Sequence, residues 1–69
     1  MSSEIIIIVE ESPEGGFIAK ALGESIFTEA ESMDQLKINV KEAVKTHFEE
    51  GEHPKIIRLH FTREELIPV

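Results

Sequence analysis

The sequence predicts an α+β domain with element order β-β-β-α-β, in which one helix packs on a four-stranded mixed sheet of strand order 3-2-1-4. Three observations carry that expectation. Residues 5–9, Ile-Ile-Ile-Ile-Val, are five β-branched side chains in succession, apolar on both faces like a strand inside a sheet. Residues 11–16 combine Pro13, which presets φ for a turn, with Gly15 and Gly16, which permit positive φ, so the chain returns antiparallel at Phe17. Farther on, the spacing of apolar residues changes from a period of two to one of 3.6 and back, which places a single helix between a third and a fourth strand.

Taken in order, a second strand covers residues 17–22, Gly23 breaks it, and residues 25–30 form a third, completing a meander. Ser32 opens a capping box: its hydroxyl can accept from the Gln35 amide while the Gln35 side chain reaches back to the Ser32 amide. The helix then spans residues 33–50. Met33, Leu36, Val40, Ala43, Val44 and His47 fall on the stripe that faces the sheet, with Phe48 at its edge, whereas Lys37, Lys41, Glu42 and Lys45 lie away from it. Ile38 lies nearly opposite the stripe, exposed. Gly51 can supply the left-handed conformation that ends a helix. After His53 and Pro54, residues 55–61 form a fourth strand, with Ile57, Leu59 and Phe61 pointing one way and Ile56, Arg58 and His60 the other. A right-handed crossover makes this strand parallel to the third and brings it to the open edge beside the first. Thr62 and Glu65 repeat the capping-box spacing, and Pro68 limits any helix there to one short turn. No repeat, low-complexity tract or linker divides the chain, so residues 1–69 form one domain.

Fourteen acidic against seven basic residues give a net charge of −7, which repels nucleic acid and favours a basic partner. The chain has no cysteine, which excludes disulfides, thiolate zinc sites and cysteine nucleophiles and fits a reducing compartment. Its first residues, Met-Ser-Ser-Glu, lack the basic region of a signal peptide, and no apolar run approaches the roughly 20 residues that span a bilayer. The expectation is a cytoplasmic protein. A domain of this length buries only about 60% of its unfolded surface, so self-association, most simply as a homodimer, is expected to support it.

One helix covers one face of a sheet, yet the first strand presents Ile5, Ile7 and Val9 to one side and Ile6 and Ile8 to the other. Ile56 joins the second side, beside Arg58 and His60, and the mixture of apolar and charged groups is that of an interface. Either this face or a free sheet edge serves partner binding or self-association, or Leu66, Ile67 and Val69 fold back to cover it. In the first case Ile6, Ile8 and Ile56 supply the buried part, and Glu10, Glu11, Glu14 and Glu29 steer a basic partner.

Catalytic chemistry is not indicated. His47 falls in the helix stripe, where a histidine is ordinarily a partly buried packing residue with a satisfied nitrogen; His53 is a solvated loop residue, and His60 suits an interface or a pH-sensitive contact. No HxxxH pair, glycine-rich phosphate loop or GxSxG elbow is present, so no metal or cofactor site is expected. Glu10, Glu29 and Glu31, near strand ends, could form a magnesium-binding carboxylate cluster in a small metal-dependent nuclease or hydrolase, but solvated strand ends are their ordinary condition.

The stretch Val9-Glu10-Glu11-Ser12-Pro13-Glu14-Gly15-Gly16-Phe17-Ile18-Ala19 resembles the opening hairpin of HicB-like antitoxin domains, whose pattern is V-E-E-x-P-E-G-G-Y/F-x-A. Residues 26–30 are similar to the segment that precedes the helix in that family. Met33-Asp34-Gln35-Leu36 with Asn39-Val40-Lys41-Glu42-Ala43-Val44 resembles its helix pattern T-x-E-E-A-x-x-N-(I/L)-K-E-A-I. The resemblance spans residues 5–61. It implies a partial RNase H-like topology and a non-enzymatic role, because complete members bind and mask the small basic toxin HicA, an mRNA-cleaving ribonuclease. Those members continue into a helix-turn-helix or ribbon-helix-helix segment that this sequence does not show, so operator binding is not expected. Residues 54–69 look more like the short stand-alone members of the family, which have no assigned toxin.

Overall fold

The isoleucine run becomes the strand on which the sheet is built. In the computed structural model, which describes residues 4–48 and 51–69, the elements are β1 (Glu4–Glu11), β2 (Phe17–Ala21), β3 (Phe27–Ala30), α1 (Met33–His47) and β4 (Ile56–Phe61). The sheet order is β3-β2-β1-β4. β2 pairs antiparallel with β1 and with β3, and β4 pairs parallel with β1. This is the α+β fold and strand order that the hairpin, the helix stripe and the crossover rule require.

The hairpin sets the register. Glu11 stands opposite Phe17 and Ile7 opposite Ala21, and the loop closes through the Ser12 amide donating to the Gly16 carbonyl (2.9 Å) and the Gly15 amide donating to the Ser12 carbonyl (3.0 Å). Gly15 and Gly16 take φ of +100° and +82°, a region that side chains disfavour.

Helix α1 starts where Ser32 caps it, its hydroxyl accepting from the Gln35 amide at 3.2 Å. The second half of the expected capping box does not form. The Gln35 side chain donates forward to Asn39 Oδ1 at 2.8 Å, and Asn39 Nδ2 donates to the Glu29 carbonyl at 3.3 Å, tying the helix to the end of β3. The helix also ends earlier than its periodicity suggests. Phe48 is already extended (φ −98°, ψ 150°), with its amide donating to the Val44 carbonyl and its ring packed against the core. Gly51 does have positive φ, +84°, but in the next turn rather than at the helix terminus. Residues 49 and 50, the last two of the predicted helix, lie outside the described residues.

Ile5, Ile7, Val9, Ala19 and Ile26 from the sheet side meet Leu36, Val40 and Val44 from the helix, and among the described residues the core holds no polar or charged side chain. Ile26 stands just before β3 and still belongs to the core; its carbonyl accepts from the Ala21 amide at 3.0 Å. The helix lies over β3 and β2 rather than over β4.

After β4 the expected helical turn is absent. Thr62, its anticipated cap, is committed to the sheet: its amide (2.9 Å) and its hydroxyl (3.3 Å) both donate to the Val9 carbonyl and continue β4 along β1. With Leu66 and Ile67 unpacked, a turn of a few residues before Pro68 does not offset the cost of nucleating a helix. Nor does this segment fold back over the sheet, since Leu66 and Ile67 are 92% and 81% exposed.

Candidate protein-docking face

Strand alternation and the observed register define the face of the sheet opposite α1. Ile6, Ile8 and Glu10 reach it from β1, with Ile18 opposite Glu10, Lys20 opposite Ile8 and Phe27 opposite Lys20. Leu22, whose amide donates to the Ile6 carbonyl at 2.9 Å, extends the same row. On the other side of β1, Ile56, Arg58 and His60 lie beside Glu4, Ile6 and Ile8. Among the described residues no element covers this face: Leu22 is 58% exposed, Phe27 59% and Ile56 53%. An uncovered apolar surface crossed by charged groups marks an interaction site more often than a solvated one.

Of the candidate interface residues, Ile6, Ile8, Glu10, Glu29, Ile56, Arg58 and His60 are brought onto this one surface. Glu11 falls on the helix side of β1, opposite Phe17, and Glu14 lies at the exposed hairpin tip, so these two flank the face without being part of it. The contributions of β2 and β3, namely Ile18, Lys20, Leu22 and Phe27, are not apparent from strand patterns alone. The signal is nonetheless present, because once the loop pairs residues 11 and 17, period-two alternation places 18, 20 and 22 beside 10, 8 and 6.

The best-defined polar contact on the face joins its two edges of sequence. Arg58 donates to both oxygens of Glu4, Nη2 to Oε2 at 2.9 Å and Nε to Oε1 at 3.3 Å. That two-point hydrogen bond, and then the positive charge of Arg58, hold the Glu4 carboxyl below the usual carboxylate range. A depressed carboxylate contributes stability that is present above its unfolded-state value and is lost as pH falls through the lower folded value. Both groups are exposed, so the contribution is small. In a pH titration followed by side-chain carboxyl NMR, Glu4 is expected to titrate below the ordinary glutamate range of about 4.3. Arg58→Gln should return it to that range, and an identical titration in both proteins would show that the pair does not persist in solution.

The other candidate groups do not converge. His47 Nε2 meets Glu24 Oε2 at 3.0 Å and its ring stands edge-on to Phe48, with centroids 5.0 Å apart. Its nitrogen is satisfied as expected, but the residue is exposed at the rim rather than partly buried in the stripe. His53 Nδ1 donates to the Pro54 carbonyl at 2.9 Å, and His60 lies exposed on the open face. Glu10 and Glu29 are two strands apart with Ile18 between them, about 10 Å along the hydrogen-bonding direction. Among the described residues no three histidine or carboxylate groups come close enough to hold a metal ion, and no helix is long and apolar enough to cross a membrane.

The chain is 56% identical over 52 residues to a UPF0150 protein of Archaeoglobus fulgidus, covering 75% of this chain and 77% of that protein. It is 41% identical over 66 residues to a UPF0150 protein of Thermotoga maritima, covering 96% of this chain and 93% of that one. No family model matches the chain, and no solved structure matches it.

Proposed function

The chain belongs to the UPF0150 protein family, and from that premise we propose that it is a non-enzymatic interaction domain whose open sheet face docks a small basic protein. The observation that carries this reading is the exposure of Leu22, Phe27 and Ile56 on one uncovered surface. The occupant's charge is set by the acidic end of the sheet, where Glu10 and Glu29 lie on the face and Glu11 and Glu14 project just beyond it. The resemblance of the hairpin and helix to HicB-like antitoxins supplies a chemical class for the occupant, a HicA-type ribonuclease that the domain would mask by covering its basic surface.

The test is coexpression with any small basic protein encoded beside this chain. Copurification is expected, with association slowing between low salt and roughly 0.5 M, where the Debye length falls to about 4 Å. Leu22→Asp and Phe27→Asp, which leave the core untouched, should each weaken the complex at least about tenfold. Failure to copurify, or a complex indifferent to both substitutions, overturns the reading. A second reading has its own observation: Lys20, Arg58 and His60 share the face with Glu10 and Glu29, so the surface is self-complementary and suits a face-to-face homodimer. Sedimentation of wild type and Phe27→Asp decides it, since such a dimer dissociates in the variant.

A further inference from the structure

Four of the five lysines of this acidic chain gather on one groove. Because α1 lies over β3 and β2, the helix side of the sheet is left open between α1 and β4. The resulting groove, about 350 Å³, has Val40 and Val44 beneath the helix wall and Ile57 and Leu59 on the strand wall. Lys37, Lys41 and Lys45, one helical turn apart, form its near rim, and Lys55 stands at its far side. β4 is also an edge strand, so its outer backbone groups are available for pairing.

Residues 64–69, Glu-Glu-Leu-Ile-Pro-Val, have the complementary character. Two carboxylates precede an apolar run whose members Leu66, Ile67 and Val69 are covered by nothing. This segment is directed away from its own groove. Thr62, held on the Val9 carbonyl, carries the chain onward past β1, whereas the groove lies beside residues 55–59 at the other end of β4. The molecule is accordingly drawn out to 51 Å against 22 and 17 Å in the other directions. Its radius of gyration of 13.4 Å exceeds the roughly 11 Å of a closed domain of this length.

We propose that the groove between α1 and β4 receives residues 64–69 of a second copy of the chain, in a reciprocal two-fold dimer. Glu64 and Glu65 meet the lysine rim, and Leu66 and Ile67 lie over Ile57 and Leu59. Two β4 edges set antiparallel about a two-fold bring Phe61 of each chain beside the start of the other copy's β4, where the groove begins, and residues 62 and 63 turn the chain back there so that Leu66 and Ile67 run over Ile57 and Leu59. Six extended residues reach about 20 Å, enough to run beside the roughly 12 Å of helix from Lys37 to Lys45. The groove and the proposed docking face are on opposite sides of the sheet, so this inference stands or falls independently of the function proposed above.

Sedimentation of the full chain from low to high micromolar concentration tests it, with circular dichroism to verify folding. Wild type is expected to dimerise, and L66D/I67D to dimerise at least about tenfold more weakly. K41E/K45E and E64K/E65K should each weaken the dimer, and the chain carrying all four changes should regain it, because the reversed charges again match. A wild type that remains monomeric overturns the inference. So does a dimer unaffected by L66D/I67D, or one that Phe27→Asp dissociates while K41E/K45E leaves it intact.

Discussion

Replacing Gly16 by alanine is expected to destabilise the domain by about 3 kcal/mol or more, against about 1–2 kcal/mol for the same change at Gly15. Both residues have positive φ, so alanine is strained at either position. Only at Gly16 is there also no room. A Cβ there would lie 2.5 Å from the Ala30 carbonyl oxygen and 3.1 Å from the Glu31 Cα, whereas at Gly15 nothing stands within 4 Å. The obstructing atoms are backbone at the end of β3, which cannot rotate aside as a side chain would, so relief requires the loop and β3 to separate. A domain of this length has only roughly 3–10 kcal/mol in total, and Gly16→Ala should leave a substantial unfolded population at room temperature. Urea unfolding of the two variants measures the difference; equal midpoints would mean that the loop and β3 are not in contact in solution.

That contact is invisible in the sequence, which marks Gly15-Gly16 as a turn without distinguishing the two glycines. What can be read there rests on local rules that agree with the tertiary result. The isoleucine run, the Pro-Glu-Gly-Gly loop and the Leu36, Val40, Val44 stripe each have one stable arrangement, and together they leave a single place for β4. The differences fall where a local signal meets a stronger tertiary competitor. Gln35 has the right spacing to reach back to Ser32, but Asn39 offers a partner one turn ahead that also secures β3. Thr62 has a cap's spacing, but the Val9 carbonyl claims its amide and hydroxyl. Half of the docking face is legible from β1 and β4, whose alternation is clean. The other half needs the hairpin register before Ile18, Lys20 and Leu22 can be assigned a side. The lysine-rimmed groove cannot be read at all, because periodicity says which residues face the sheet and not which strands the helix covers.

Leu36→Ala is expected to cost about 2–5 kcal/mol, the usual penalty for emptying a buried leucine site. Leu36 is fully buried and clusters with Ile7 and Val9 of β1 and with Val40 and Val44 of its own helix. Two residues later in the same helix, Ile38 is exposed, and Ile38→Ala should change stability by no more than about 0.5 kcal/mol. The comparison separates packing from helix propensity, since both substitutions introduce the strongest helix former into the same turn and only one creates a cavity. In urea the Leu36→Ala midpoint should fall well below that of Ile38→Ala while the slope stays near that of the wild type, because the surface exposed on unfolding changes little. Similar midpoints would place Leu36 away from the sheet and rotate the whole apolar stripe. Val40 and Val44 would then leave the base of the groove, and Lys37, Lys41 and Lys45 its rim, so the stability of this one leucine variant also bears on whether the α1 and β4 groove exists in the folded protein.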